Sequence, residues 1–282
     1  TDVIDEFVET ISEADGVPVY QYGEELRPVD TSKVTLSFRS GDSILQRSFP
    51  AYHTHHGPIT HQAGGKPVAT AMMWDPVRAL EQSFIRTKQG TYEGFRGMMD
   101  IRTNSSNNTV YADADGNIAY FHGNFIPKRD TRFDYREPVD GSDPATDWQG
   151  LHTVDENILL LNPPNGWIQN CNSTPFTSAL EYSPRREDYP GYMSLDRENF
   201  RGVHAIGLLK GRSGYTLDSL ITVAYDPYLP AFEALIPGLV EAYDALPERD
   251  ESLDAAMAYL RTWDFRTSAE SVAMTLAHFY GT

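Results

Sequence analysis

Two polar groups flank a predicted β-hairpin between residues 104 and 130. An asparagine-rich patch ending at Asn108 precedes the first strand, and a Pro-Lys-Arg sequence ending at Arg129 follows the second. A side-chain amide can donate hydrogen bonds to a developing negative charge, and a guanidinium carries a fixed positive charge. Because a hairpin brings its ends together, the two groups can converge. The purely structural alternatives are a turn-forming asparagine and a surface arginine paired with Asp130 or Asp134.

The hairpin itself is predicted from two short β-prone runs, 110–112 and 118–121. Residues 113–117 between them read Asp-Ala-Asp-Gly-Asn, which is typical of a turn. This segment slightly resembles a calcium-binding loop, but it lacks the spacing and the terminal glutamate of an EF-hand. A turn is therefore the favoured interpretation.

Four histidines form a second group that could bind a metal: His53, His55, His56 and His61. His53 and His55 would share one face of a strand, which suits zinc geometrically. No carboxylate partner stands near them in the sequence, and no second metal motif accompanies them. A structural, histidine-rich strand is therefore favoured over metal binding.

The elements that must position these groups run as strands, two helices and further strands over the first ~125 residues. Alternating apolar and polar residues over 34–38 predict a half-buried strand. Asp75 and Pro76 predict a helix start, as N-cap and first-turn proline, and 92–101 predicts a second helix. The predicted apolar face of the first helix is Leu80, Phe84 and Ile85. This order predicts an α+β protein whose helices cover a largely antiparallel sheet.

The chain is 282 residues long, enough for one large domain or two. A formal net charge of −17 argues against nucleic acid as a partner and against adsorption to anionic membranes. One cysteine, Cys171, excludes an internal disulfide and a cysteine-based zinc site, and a packing role is favoured for it over a thiol nucleophile. No apolar run approaches the ~20 residues that span a bilayer.

Many sequence landmarks occur here in one order. The stretch from Asn108 to Tyr120 reads Asn-x-x-Tyr-Ala-Asp-x-x-Gly-Asn-Ile-x-Tyr. Further landmarks are Ile-Pro-Lys-Arg at 126–129, Pro-Val-Asp-Gly at 138–141, Trp-Gln-Gly at 148–150, Asn-Pro at 162–163 and Asn-Ser-Thr-Pro at 172–175. Together they resemble the penicillin acylase family of N-terminal-nucleophile hydrolases. The resemblance covers most of the chain and implies an interior segment of the catalytic β chain.

The resemblance implies an αββα layered sheet core, of which this chain holds a part. On that basis residues 1–130 belong to the core, and 131–200 form an irregular segment rich in proline and asparagine that wraps the same domain. Residues 201–282 are expected to be helical and truncated at the C-terminus.

The resemblance also implies roles for individual residues. Asn108 matches the oxyanion-hole asparagine, three positions before the Tyr-Ala-Asp, and Asn107 is its nearest competitor. Arg129 matches an arginine that orients this asparagine and lowers the pKa of the nucleophile's amine. Asp2, Ile4 and Asp5 resemble a calcium-binding Asp-x-x-Asp, so a structural Ca²⁺ ion is an additional expectation although no cofactor is required.

The function implied is hydrolysis of an acyl amide, such as an N-acyl-homoserine lactone, a penicillin or an acylated lipopeptide, with a mild preference for long acyl chains. The nucleophile would be an N-terminal serine on another chain, because the sequence context of Thr1 does not match that of the nucleophile. The expected partners are an α chain, the β-chain segment that carries the serine, and a small substrate. A periplasmic or extracellular location is expected. The alternative is a catalytically inactive, secreted binding or assembly module on the same scaffold.

Overall fold

The computed structural model describes residues 3–281, in which twelve strands and seven α-helices follow one another. The strands are β1 (Ile4–Val8), β2 (Ile11–Ala14), β3 (Val17–Tyr22), β4 (Glu25–Pro28), β5 (Asp30–Ser40), β6 (Ser43–Thr54), β7 (Gly57–Ala63), β8 (Lys66–Met72), β9 (Asn108–Ala112), β10 (Ile118–His122), β11 (Val139–Asp140) and β12 (Leu159–Leu161). The helices are α1 (Pro76–Arg86), α2 (Tyr92–Met99), α3 (Phe200–Leu209), α4 (Leu217–Ala224), α5 (Pro230–Asp244), α6 (Asp254–Arg261) and α7 (Val272–Gly281). The predicted α+β class is confirmed.

The chain forms two compact units. The first contains the residues through Leu161 together with Pro184–Leu195, and the second contains Asn162–Ser183 together with the residues from Asp196 onward. All three sheets and both groups of candidate site residues lie in the first unit.

The largest sheet of the first unit has the strand order β11-β1-β8-β7-β6-β5. Its strands pair antiparallel, except that β11 joins β1 in parallel. Along β1 and just beyond it, Asp5, Phe7 and Glu9 are buried while Ile4 is exposed. Because side chains alternate along a strand, one face of this segment carries a phenylalanine with one carboxylate on each side of it.

Strands β5 and β6 form a long hairpin that is exposed along most of its length. The prediction of a half-buried strand over 34–38 is wrong, because consecutive side chains of β5 are exposed on both faces. Pro50 does not interrupt β6. It is tolerated because β6 pairs with β7 only at His53 and Thr54, so a partner strand lies on one side of Pro50 only.

The hairpin of β9 and β10 has the predicted position and turn. Its register pairs Asn108 with His122 and Ala112 with Ile118. The Asp113 carboxylate accepts hydrogen bonds from the backbone N–H groups of Asp115 and Asn117 at 3.1 and 2.8 Å. Strand β12 lies on the other side of β10 and completes a three-stranded sheet.

Helices α1 and α2 begin where the sequence predicts. Asp75 caps α1 by accepting a hydrogen bond from the N–H of Arg78, and α2 packs on the β9–β10 sheet through a buried aromatic and methionine cluster. The predicted apolar face of α1 is wrong in part, since Leu80 and Phe84 are 73% and 66% exposed. Gln82 is buried instead.

The burial of Gln82 has a specific cause. Its Oε1 accepts hydrogen bonds from the backbone N–H and the hydroxyl of Thr103, at 2.9 and 2.6 Å. A buried amide that satisfies two donors is stable in a core, and it turns this side of α1 inward.

The second unit contains helices α3 to α7. Its core joins α5, α6 and α7 through residues that include Ile236, Tyr243, Leu260 and Trp263. Helix α5 continues through Pro237. The stretch 130–200 contains only two short strands and four single 3₁₀ turns before α3 begins, so its predicted irregularity is confirmed. Within residues 3–281, none of the helices has the length and apolar character required to cross a bilayer.

Candidate functional site

Arg129 makes a buried ion pair with Asp5. Its Nε and one Nη donate to the two carboxylate oxygens at 2.6 and 3.1 Å, and the two side chains are only 7% and 3% exposed. The indole N–H of Trp148 donates a third hydrogen bond to Asp5, at 2.6 Å. The guanidinium carbon also lies 5.7 and 5.3 Å from the ring centroids of Tyr135 and Tyr192. The bidentate geometry and the third hydrogen bond to Asp5 offset part of the cost of burying both charges.

The backbone explains why Arg129 and Trp148 meet on Asp5. Residues 127–128 run antiparallel beside 149–151, with hydrogen bonds from Lys128 N–H to Gly150 O and from Gln149 N–H to Lys128 O, both at 2.9 Å. Asp5 reaches the same point from β1. The structural alternative for Arg129 is wrong, because Asp130 pairs with Arg132 and Asp134 pairs with Arg136.

Asn108 is the first residue of β9 and is half-buried. Its Oδ1 is buried and has no hydrogen-bond partner among residues 3–281. The neighbouring Asn107 is exposed, so the two side chains are in different environments, as strand alternation predicts.

The loop before Asn108 is fixed by two other asparagines. The Asn104 side chain donates to Asn107 O at 2.7 Å and accepts from Asn107 N–H at 3.0 Å. The Asn124 side chain accepts from Asn104 N–H and donates to Met99 O, both at 2.7 Å. Asn124 was not among the residues predicted from the sequence. These bonds tie the start of β9 to the end of β10, so Asn108 is held on rigid backbone.

The four histidines do not lie together in one group. His53 lies in the β6–β7 ladder and His61 lies beside Glu6, whereas His55 and His56 occupy the turn between the two strands. Asp147 contacts both turn histidines. The sequence shows no carboxylate near these histidines, but the fold brings Asp147 to two of them.

Glu9 is the second carboxylate at this turn. Its Oε1 lies 2.9 Å from Nδ1 of His56 and accepts a hydrogen bond from the Thr54 hydroxyl at 2.6 Å. Asp147 and Glu9 stand 91 and 47 residues from His56 in the sequence, which is why local spacing could not reveal them.

Comparison with known proteins gives the chain its family. The family model described as penicillin amidase matches residues 1–281. The chain belongs to the penicillin amidase family. Penicillin G acylase of Escherichia coli is 28% identical over 198 residues, which are 67% of this chain and 21% of that protein. A thermostable penicillin G acylase from Alcaligenes faecalis matches with a TM-score of 0.72 and 20% identity, over 96% of this chain and 47% of that chain.

The solved penicillin G acylase shows the fold of this chain, which confirms the predicted N-terminal-nucleophile hydrolase architecture. The chain spans about a fifth of the curated relative and about half of the solved chain.

Calcium binding by this penicillin amidase family member was predicted at Asp2, Ile4 and Asp5, and the structure describes the last two. Asp2 lies outside the described residues. Ile4 is on β1, and both oxygens of Asp5 already accept hydrogen bonds from Arg129 and Trp148. A guanidinium in direct contact with a ligand carboxylate opposes the binding of a second cation there. The contact with Arg129 makes Asp5 a poor ligand for Ca²⁺, and the calcium site as a whole, which includes Asp2, stays a prediction.

Cys171 is half-buried, and burial raises the pKa of its thiol. A raised pKa lowers the thiolate population at neutral pH, which disfavours a nucleophilic role.

Proposed function

We propose that this chain is part of an amide hydrolase that uses an N-terminal serine on another chain, and that it supplies Asn108 to the oxyanion hole. Membership of the penicillin amidase family supports an acylase-type activity. The observation that carries the assignment is the half-buried amide of Asn108 at the start of β9, directly after a loop in which the Asn104 side chain binds the Asn107 backbone and the Asn124 side chain binds the Asn104 backbone.

The proposed chemistry has two steps. The serine hydroxyl attacks the amide carbonyl carbon, the C–N bond breaks, and the amine leaves with a proton taken from the serine. Water then hydrolyses the acyl ester. In each step a tetrahedral oxyanion forms, and the Nδ2–H of Asn108 donates a hydrogen bond to it. A donor that is already fixed needs no reorganisation when the charge develops.

Arg129 has a supporting place in this proposal. Its charge is balanced by Asp5, so its effect on the pKa of a nearby amine is weaker than that of an unpaired guanidinium. We assign it a positioning role, because its bonds hold residues 127–129 against β1 next to Trp148. Its hydrogen-bond partner Asp5 is one of the residues predicted from the sequence to bind calcium.

The proposed substrates are acyl amides, with N-acyl-homoserine lactones or other long-chain acyl amides preferred over penicillins. The proposed partners are the other acylase chains, including the one that begins with serine, and the proposed location is periplasmic or extracellular. A catalytically inactive module on the same scaffold is the competing proposal.

A pair of substitutions in the complete protein tests the assignment. Asn108→Ala should lower kcat/KM for a chromogenic acyl amide by about 10²- to 10³-fold, the usual cost of losing one oxyanion donor. Asn107→Ala is the matched control, since its side chain is exposed, and should keep wild-type activity. Full activity in Asn108→Ala, with circular dichroism showing an unchanged fold, would contradict the oxyanion role.

A further inference from the structure

Three side chains from distant parts of the first unit converge at the β6–β7 turn. His55 and His56 come from the turn itself, and Asp147 follows a 3₁₀ turn formed by residues 144–146. One potential ligand atom from each of the three lies within 4.8 Å of the others. We propose that His55, His56 and Asp147 bind a divalent transition-metal ion of the zinc type. This inference is independent of the proposed hydrolase activity.

The distances suit a tetrahedral ion. Nε2 of His55 lies 3.4 Å from Oδ1 of Asp147, and Nε2 of His56 lies 3.0 Å from the same oxygen. Metal–ligand bonds of about 2.0–2.1 Å in a tetrahedron place neighbouring ligand atoms ~3.3 Å apart. Both histidine donor atoms therefore stand near tetrahedral spacing from Oδ1 of Asp147, and a water molecule can take the fourth position on the exposed side.

The remaining polar atom of each ligand is held by another residue. Nδ1 of His56 lies 2.9 Å from Oε1 of Glu9, and Nδ1 of His55 lies 3.1 Å from the hydroxyl of Tyr20. Histidines that bind metals usually place their other ring nitrogen against a carboxylate or an oxygen in this way.

Asp147 is oriented in the same manner. Its Oδ2 accepts a hydrogen bond from the Tyr22 hydroxyl at 2.6 Å, which leaves Oδ1 facing the two imidazoles. The His56 ring also stacks on Phe7, with centroids 3.9 Å apart and planes 6° from parallel. The ring is therefore fixed before any ion arrives.

The charges of the cluster call for a cation. Glu9 is fully buried, and its Oε2 has no hydrogen-bond partner among residues 3–281. Two carboxylates with two neutral imidazoles carry a net charge of −2, which one divalent ion would neutralise. The nearby guanidinium of Arg27 already pairs with Glu25. Imidazole ligands favour zinc-type ions over Ca²⁺, which prefers oxygen.

Such an ion would join two sheets of the first unit. The turn histidines extend from the six-stranded sheet, while Tyr20 and Tyr22 belong to β3 in the sheet of β2, β3 and β4. The site is therefore structural in character.

The competing explanation is a His56 imidazolium that bridges Glu9 and Asp147 without a metal. Cobalt(II) and zinc titrations of the complete, chelator-stripped protein separate the two. The metal site predicts one Co²⁺ per chain with the intense visible absorption of a tetrahedral ion, displaced by Zn²⁺, and a rise in Tm with Zn²⁺. Absence of this absorption and of the Tm shift in the wild-type protein would overturn the proposal.

Substitutions locate the ion. His55→Gln and Asp147→Asn should each weaken Zn²⁺ binding by more than about 100-fold, and Tyr22→Phe by about 10- to 100-fold. His61→Gln is the matched control, because His61 lies outside the cluster, and should bind as the wild type does. Unchanged Zn²⁺ affinity in His55→Gln would also overturn the proposal.

Discussion

At the residue scale, the buried face of β1 organises the first unit. Asp5 receives the guanidinium of Arg129, and Glu9 receives the imidazole of His56. Two carboxylates, one on β1 and one just beyond it, thus bind basic side chains from segments far along the chain. Each pair connects the start of the chain to a loop that carries candidate site residues.

The Arg129–Asp5 pair predicts a large stability effect. Arg129→Ala leaves a buried carboxylate without its counter-charge, and we expect it to lower the free energy of unfolding by about 3–5 kcal/mol. Arg136→Ala removes a similar bidentate arginine from an exposed pair with Asp134 and should leave the free energy unchanged. Urea unfolding of the three proteins measures both effects. Equal stability of Arg129→Ala and the wild type would refute the account of this pair.

The environment of Tyr135 predicts that the folded chain loses stability at alkaline pH. Burial and the negative charge of Asp5 raise the pKa of Tyr135 to about 12, whereas a tyrosine in an unfolded chain has a pKa of about 10. The folded chain therefore holds this proton more tightly. The stability that results is complete below pH 10 and is lost as the pH rises toward 12.

Tm measured between pH 9 and 12 tests this expectation. The wild type should lose Tm more steeply over that interval than Tyr135→Phe does. Because the substitution also removes a hydrogen bond to Thr146 O, the slopes are compared and not the absolute values. Parallel slopes would count against the raised pKa.

The sequence predicted Asn108 and Arg129 as candidates but not the environment of either. The motifs that identify them consist of residues close together in the sequence, so they can be recognised without the structure. The partner of Arg129 stands 124 residues away on β1, and Asp147 stands 91 residues from His56. Contacts between segments so far apart depend on sheet order, which no local pattern specifies.

At the element scale, the β9–β10 hairpin is the element that the sequence describes best. Its strands, its turn and the capping role of Asp113 follow from short-range chemistry. Helix α1 is the opposite case. Its start was predicted from Asp75 and Pro76, but its buried face was not, because the Gln82–Thr103 hydrogen bonds turned a polar residue inward.

Alanine substitution should have opposite effects on stability at two glycines, one in the hairpin turn and one in α2. Gly116 has φ of +89° with open space around it, so Gly116→Ala meets backbone strain alone and should destabilise the chain by about 1 kcal/mol. Gly97 lies in α2 with nothing within 4 Å of an added Cβ, and Gly97→Ala should stabilise it by ~0.5–1 kcal/mol. Chemical denaturation measures both values. The same sign of effect at the two positions would argue against the turn conformation described here.

At the scale of the whole molecule, the chain matches only part of the length of its relatives. It spans about half of the solved penicillin G acylase chain that it matches, and the residues that we propose for oxyanion stabilisation do not include the proposed nucleophile. The α+β class was predictable from the order of elements. The two compact units were not, because residues 162–183 join the helical unit while 184–195 return to the first.

The central claim is that the nucleophile is a serine at the start of another chain. Intact-mass analysis of the native protein under denaturing conditions, with N-terminal sequencing of each species, tests it most directly. We predict a companion species whose first residue is serine, followed by a hydrophobic strand. A preparation in which no chain begins with serine would contradict the proposed hydrolase and favour the inactive binding module.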